Sequence, residues 1–397
     1  RIRRNLRLVL IIVLATMERL RTLLFWMHLA IGVVAGVVIL LMCVTGVALT
    51  YEKQMLEWAD REAVPATSAG GTPLPPEALL VAAAAAEPTA MPTALTLRAD
   101  RRAPVTVTFA GNRVRLVDPA TGQSLGEPSP RVRRFFRLMT SWHRWLAIEG
   151  ASRGTGRLIT GASNLGFLFI VLSGMYLWLP RVLSWVQVRQ VLWFRRGLAP
   201  KARDFNWHNV IGIWSAVPLA LVVAGAVPIS YGWAGNLVYR LAGDTPPRPP
   251  AREASAGETP GFSASGLDAA FAAVTAAVPD WRTASVRFGA EAAPLTIAVD
   301  EGGGGQPQYR TTFTVDRATA HITKRETFAD LGPGRQWRSW FRFVHTGEYY
   351  GLTGQTIAGL VSAGGAVLVY TGVALALRRF GAWRRRRTTT RLRAVAA

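Results

Sequence analysis

The sequence predicts a membrane α-helical fold: four transmembrane helices in two parallel helix–domain–helix repeats, with two α+β domains outside the membrane. Three observations carry this expectation. Stretches near 29–50, 158–179, 210–233 and 356–377 are apolar and uncharged, and about 20 such residues at 1.5 Å each cross a ~30 Å hydrocarbon core. Basic residues crowd into three short segments that alternating spans place on one face. The order of span, long connection and span occurs twice.

Residues 1–24 form a basic segment with Arg1, Arg3, Arg4, Arg7, Arg19 and Arg21. Its apolar run LRLVLIIVLAT is short for a span and reads as an interfacial extension. Met17, in MERLRTLLFW, reads as an alternative start that leaves the upstream piece a translation artefact. The first transmembrane helix occupies 25–50, and the first outer domain 51–134. An interfacial segment and the second transmembrane helix fill 135–180. A second basic segment, 181–207, holds Arg181, Arg189, Arg195, Arg196, Lys201 and Arg203. The third helix follows at 208–233, the second outer domain at 234–336, and an interfacial segment with the fourth helix at 337–378. The tail, 379–397, continues the run that starts at Arg378 and includes Arg379, Arg384 to Arg387, Arg391 and Arg393.

The positive-inside rule makes the face shared by these basic segments cytoplasmic. Both termini are then cytoplasmic, and in a bacterium the protein lies in the inner membrane with both connections in the periplasm. The net charge of +22 is thus a topology and lipid-bilayer signal, and no nucleic-acid partner is expected. Cys43 is the single cysteine. It falls inside the first span, so no disulfide holds the outer domains and no Cys-x-x-Cys-His haem attachment exists.

Each outer connection opens with a Pro/Gly/Ala-rich linker, VPATSAGGTPLPP or TPPRPPAREASAGETP. A helical stretch follows, PEALLVAAAAA or SGLDAAFAAVTAAV. Alternating strands come next: ALTLRA, PVTVTFAG and NRVRLVDPATG in one, TASVRFG, PLTIAVD and YRTTFTVDRATAHI in the other. VDPATGQ and VDRATAH fall at matching places and read as a strand followed by a tight turn.

Four of the five histidines stand at the ends of the spans. His28 opens the first and His208 the third; His143 precedes the second and His345 the fourth. An isolated boundary histidine snorkels to the headgroups, but four in register with a duplication point to a cofactor. Neutral imidazole is the usual protein donor to haem iron. Pairing across faces is excluded by about 30 Å of helix. The expectation is two b-type haems, an inner one on His28 and His208 and an outer one on His143 and His345. Gly32 and Gly212, each four residues after its histidine, leave room for the macrocycle.

These motifs resemble the PepSY-associated transmembrane family of bacterial inner-membrane proteins. The resemblance runs from about Met17 to Arg379 through HLAIGVVAGVVILLMCVTGVALTYE, the WHRW segment ending in SGMYLWLPR, WHNVIGIWSAVPL and, most specifically, HTGEYYGLTGQTIAGL. It implies PepSY-like outer domains and an iron-regulated haem b reductase acting on a ferric chelate of the siderophore type. Electrons then come from quinol or a cytoplasmic flavoprotein. It also implies a second reading, a non-catalytic membrane module that binds peptides or regulates a protease.

Two basic clusters flank the outer histidines: Arg131, Arg133, Arg134 and Arg137, then Arg335, Arg338 and Arg342. Headgroup contact explains them. Arg134, Arg137, Arg338 and Arg342 are also candidates for haem propionates or an anionic substrate. Trp142, Trp145, Trp337 and Trp340 fit an interfacial aromatic belt. Glu348 orients His345 or, the simpler reading, starts a helix. His321 is expected at the surface, and Met27, Met42, Met139 and Met175 in packing. No phosphate-cradling Gly-rich loop, His-Glu-x-x-His or Gly-x-Ser-x-Gly occurs, so nucleotide binding and hydrolysis are not expected. The uncharged spans argue against an ion-coupled transporter.

Overall fold

The computed structural model describes residues 2–65, 71–179, 184–247, 263–288 and 293–395. Arg181, the centre of the first linker and most of the second lie outside the described residues. The chain begins with α1 (Ile2–Leu49), α2 (Glu52–Arg61), α3 (Pro76–Ala86), β1 (Pro92–Arg98), β2 (Val105–Phe109), β3 (Arg113–Val117) and β4 (Ser124–Gly126). It continues through α4 (Pro130–Trp145), α5 (Arg153–Trp178), α6 (Trp185–Leu192), α7 (Pro200–Ser230) and α8 (Gly232–Leu241). The remainder is α9 (Leu267–Ala277), β5 (Thr283–Arg287), β6 (Leu295–Asp300), β7 (Arg310–Val315), β8 (Ile322–Glu326), α10 (Pro333–His345) and α11 (Gly351–Val395). Two compact units result: Arg1–Thr50, Met139–Tyr231 and Thr356–Ala397 form one, Tyr51–Leu138 and Gly232–Gln355 the other.

The first unit contains α1, α5, α7 and α11, the four helices among the described residues that are long and apolar enough to cross a membrane. All four feed one core: Ile39 and Cys43 from α1, Phe167 and Val171 from α5, Leu219 and Val223 from α7, Val361 from α11. Small residues permit the close approach. A Cβ on Gly365 would lie 2.9 Å from Cys43 Sγ, and one on Gly364 3.2 Å from Ile211; glycine lets packed membrane helices touch at such points. Pro228 removes a backbone donor inside α7. Close by, Asn164 of α5 donates to the Val223 carbonyl at 3.1 Å, a buried hydrogen bond that ties α5 to α7.

Several arginines of the basic segments also fasten helix ends. Arg21 donates to the carbonyls of Leu177 and Leu179 at 2.7 and 2.9 Å, where the end of α5 leaves acceptors unpaired. Arg378 of α11 pairs with the buried Asp204 of α7 at 2.6 Å. The Arg379 guanidinium lies 5.0 and 4.9 Å from the Phe25 and Trp26 rings.

The second unit is an eight-stranded antiparallel sheet in the order β4-β3-β2-β1-β5-β6-β7-β8. Each outer connection supplies four consecutive strands, and the halves join where β1 pairs with β5, Leu95 opposite Val286 and Thr96 opposite Ser285. The two expected domains therefore share one sheet and one core. Alternate residues such as Leu95, Val107, Val286, Ile297 and Phe313 face one side, where Leu79 and Leu80 of α3 and Leu267 and Val274 of α9 cover them. Each such side chain contributes roughly 1.5–3 kcal/mol over an exposed one.

The two helices also close each other's first turn. The Glu77 N–H donates to Asp268 Oδ1 at 2.8 Å, and the Asp268 N–H to Glu77 Oε1 at 3.3 Å. The matching VDPATGQ and VDRATAH turns are built alike. Asp118 Oδ1 accepts from the N–H groups of Ala120 and Thr121, and Asp316 Oδ1 from those of Ala318 and Thr319. The left-handed position is glycine in one turn, Gly122 at φ 72°, and alanine in the other, Ala320 at φ 57°.

Candidate functional site

Within the first unit the structure brings His28 and His208 together. Their ring centroids lie 6.4 Å apart with planes inclined at 75°. Each stands near the N-terminal end of its helix's apolar stretch, on a face turned toward a different neighbour. His28 Nδ1 lies 3.0 Å from Ser173 Oγ of α5, and His208 Nδ1 lies 3.0 Å from Thr371 Oγ1 of α11. The next residue is glycine in both cases. A Cβ on Gly174 would sit 3.3 Å from His28 Cε1, and one on Gly372 3.4 Å from His208 Cε1. Each imidazole edge therefore rests in a notch made by a hydroxyl and a missing side chain.

Gly32 and Gly212 line the same approaches. Cβ atoms there would meet Ile170 at 3.9 Å and Leu368 at 3.7 Å, ordinary contacts with residues three positions before Ser173 and Thr371. Asp204, one turn before His208, is fully buried. It is shared between Arg203 at 2.9 Å and Arg378 at 2.6 Å, which pins the end of α7 to α11.

His143 repeats the arrangement at the other end of α1. Its Nδ1 lies 2.9 Å from Thr45 Oγ1, and a Cβ on Gly46 would sit 3.5 Å from its Cε1. It is carried by α4, not by the spanning helix, as the glycines and arginines after it suggested. That helix ends in a left-handed turn at Leu146 and Ala147, φ 55° and 54°. Its last carbonyls are held by α5: Thr160 Oγ1 donates to the Arg144 carbonyl at 2.9 Å, and Gly156 packs on the Trp145 carbonyl. The Arg153 guanidinium covers the Trp145 ring at 3.6 Å.

His345 ends α10 in the second unit. Glu348 follows it in a short turn, and its carboxylate accepts from the Thr346 hydroxyl at 2.8 Å. On α10, Arg342 is exposed and Arg338 half-buried. Burial pushes the Arg338 guanidinium below its ordinary pKa; the nearby Tyr239 opposes that shift and the Arg342 charge reinforces it. On α4, Arg134 and Arg137 are exposed, whereas Arg133 pairs with the buried Asp60 of α2 at 2.7 Å. His321 is exposed in its turn.

The inner donor set fits a haem iron. Two nitrogens about 2 Å from one metal, on five-membered rings, put the ring centroids about 6.3 Å apart. Among the described residues no three His, Cys, Asp or Glu side chains are grouped to hold a bare ion. Trp178, one turn beyond Gly174 on the same face of α5, buries an indole N–H without an acceptor among the described residues. A haem propionate is an acceptor of the kind such a donor needs.

Sequence reading singled out the histidines and missed Thr45, Ser173, Thr371 and Asp204. The available signal was the hydroxyl–glycine pair at 45–46, 173–174 and 371–372; the matching stretch of α7 has Ala224 before Gly225.

A family model described as the PepSY-associated TM region matches residues 25–379. No curated protein matches the chain.

Proposed function

The chain belongs to the PepSY-associated transmembrane family, and from that premise we propose that it is an inner-membrane, di-haem b electron-transfer protein. It reduces a periplasmic ferric complex of the siderophore type for iron uptake. The observation that carries the reading is the 6.4 Å pairing of His28 and His208. In this reading the chain is two parallel helix–domain–helix repeats with cytoplasmic termini, and the joined sheet unit to which both repeats contribute is PepSY-like and periplasmic.

His28 and His208 would hold the inner haem through Nε2, and the outer haem expected from the sequence would draw on His143 and His345. Trp178 takes an inner propionate. Bound haem supplies one-electron transfer, between a quinol or flavoprotein donor at the cytoplasmic face and the ferric complex outside. The chain ligates, orients and excludes water. The core around Ile39, Phe167 and Leu219 keeps the interior dry, while Arg134, Arg137, Arg338 and Arg342 attract an anionic chelate or bind outer propionates. Reduction of the substrate to Fe(II) weakens its hold on hard oxygen ligands.

The test is a reduced-minus-oxidised spectrum of the purified chain with pyridine haemochrome stoichiometry. Two haems per chain are expected. His28→Ala and His208→Ala should each lose the same one, and His143→Ala and His345→Ala the other. Absence of a b-type signal after expression with ample haem overturns the reading and leaves the non-catalytic module.

A further inference from the structure

The three hydroxyls beside the histidines share a second feature: each has a carbonyl of its own helix within donating distance. Thr45 Oγ1 donates to the Leu41 carbonyl at 2.7 Å, Thr371 Oγ1 to Val367 at 2.8 Å, and Ser173 Oγ to Ile170 at 3.2 Å. A hydroxyl has one proton and two lone pairs. A hydroxyl that gives its proton to the helix meets the imidazole as an acceptor, and Nδ1 then carries the hydrogen.

We propose that Ser173, Thr371 and Thr45, each with its following glycine, are positioning residues that fix their histidine in the Nδ1–H tautomer. At His28 and His208 this turns the bare Nε2 lone pair toward the shared site. The role toward iron rests on the haem reading above; the tautomer assignment does not. The hydroxyls are all buried, Thr371 at 0 %, Thr45 at 3 % and Ser173 at 5 % exposure, so water does not compete for the Nδ1–H. The glycines let the ring edge reach the hydroxyl, since Cβ atoms at 174, 372 or 46 would lie 3.3 to 3.5 Å from Cε1. An Nδ1–H bonded to an acceptor both orients a ligating ring and raises its basicity.

The test uses the full chain in detergent with ¹⁵N-labelled histidine, in haem-depleted and haem-loaded forms. In the haem-depleted chain, ring ¹⁵N shifts should report a protonated Nδ1 and an unprotonated Nε2 at His28, His208 and His143, each assigned by its own variant. Thr371→Val keeps the shape of the side chain and removes the acceptor. It should change the His208 ring shifts, and in the loaded chain weaken haem retention about 10- to 100-fold. Thr371→Ser should restore both. An Nε2–H tautomer at His208, or Thr371→Val shifts identical to those of the unchanged chain, overturns the proposal. A chain that takes up no haem sinks the functional reading alone, because the haem-depleted shifts still decide the tautomer.

Discussion

Gly156, which packs on the end of the helix that carries His143, is a position where a single methyl group should be costly. A Cβ there would lie 2.2 Å from the Trp145 carbonyl oxygen and 2.8 Å from its carbon, roughly 1 Å inside ordinary contact. The obstacle is backbone, so the α4–α5 corner itself has to open by about that distance. A 1 Å opening takes the 2.9 Å bond from Thr160 to the Arg144 carbonyl out of hydrogen-bonding range. Overpacking of this kind costs about 1–3 kcal/mol, and the lost hydrogen bond about 0.5–1.5 kcal/mol more. Gly156→Ala should therefore destabilise the chain by about 1.5–4.5 kcal/mol, roughly a 10- to 2,000-fold change in the folded-to-unfolded ratio. Gly154, two residues earlier on the same helix, has nothing within 4 Å of its Cβ position. Gly154→Ala should be neutral or slightly stabilising. Thermal denaturation followed by tryptophan fluorescence compares the pair, and equal midpoints would refute the argument. Because His143 lies two residues before Trp145, Gly156→Ala should also disturb the Thr45–His143 hydrogen bond while leaving His28 and His208 undisturbed.

The second unit yields further expectations. Ala320→Gly, at φ 57°, relieves a left-handed alanine and should stabilise the full chain by about 0.5–1 kcal/mol in denaturation; a loss would contradict the turn geometry. Asp268→Ala removes the acceptor for the Glu77 N–H and should cost about 1 kcal/mol, with faster amide exchange at Glu77. The Asp316 carboxyl is held below its ordinary pKa of 3.8, chiefly by hydrogen bonds from the Thr319 hydroxyl and N–H. A depressed folded-state value means its contribution is complete above the unfolded value and fades as pH falls through the folded one. Amide protection at Ala318 and Thr319 should thus weaken only below about pH 4, and Asp316→Asn should abolish that dependence.

What the sequence revealed, and what it hid, follows from the range of each interaction. The four spans are legible because water and lipid sort some 20 consecutive residues by polarity alone. The pieces that form β1 to β3 and β5 to β7 are legible because one face is buried and side chains alternate. β8, ITKRE, breaks that alternation because it is an exposed edge, and β4 has only three residues. The pairing of β1 with β5 could not be read, since nothing in either strand specifies a partner nearly two hundred residues away. Asp204 could not be singled out either, because the partner that gives it its role, Arg378, lies 174 residues further on.

The histidines were conspicuous because an ionisable group at a membrane boundary is uncommon. The residues that orient them were inconspicuous for a physical reason. A serine or threonine inside a membrane helix ordinarily satisfies itself on its own backbone, and Thr45, Ser173 and Thr371 each have a backbone carbonyl in reach for that. That self-satisfaction is also what frees their oxygens to act as pure acceptors toward a neighbouring helix. Local sequence cannot distinguish a hydroxyl with a second role from one without it; the distinction lies in whether the next residue is small enough to admit a ring. Searching other members of the family for a hydroxyl–glycine pair at the opposite helix end from each boundary histidine would extend the argument. If such pairs occurred no more often than chance there, recurrence within this chain would be a property of its repeats and not of ligation.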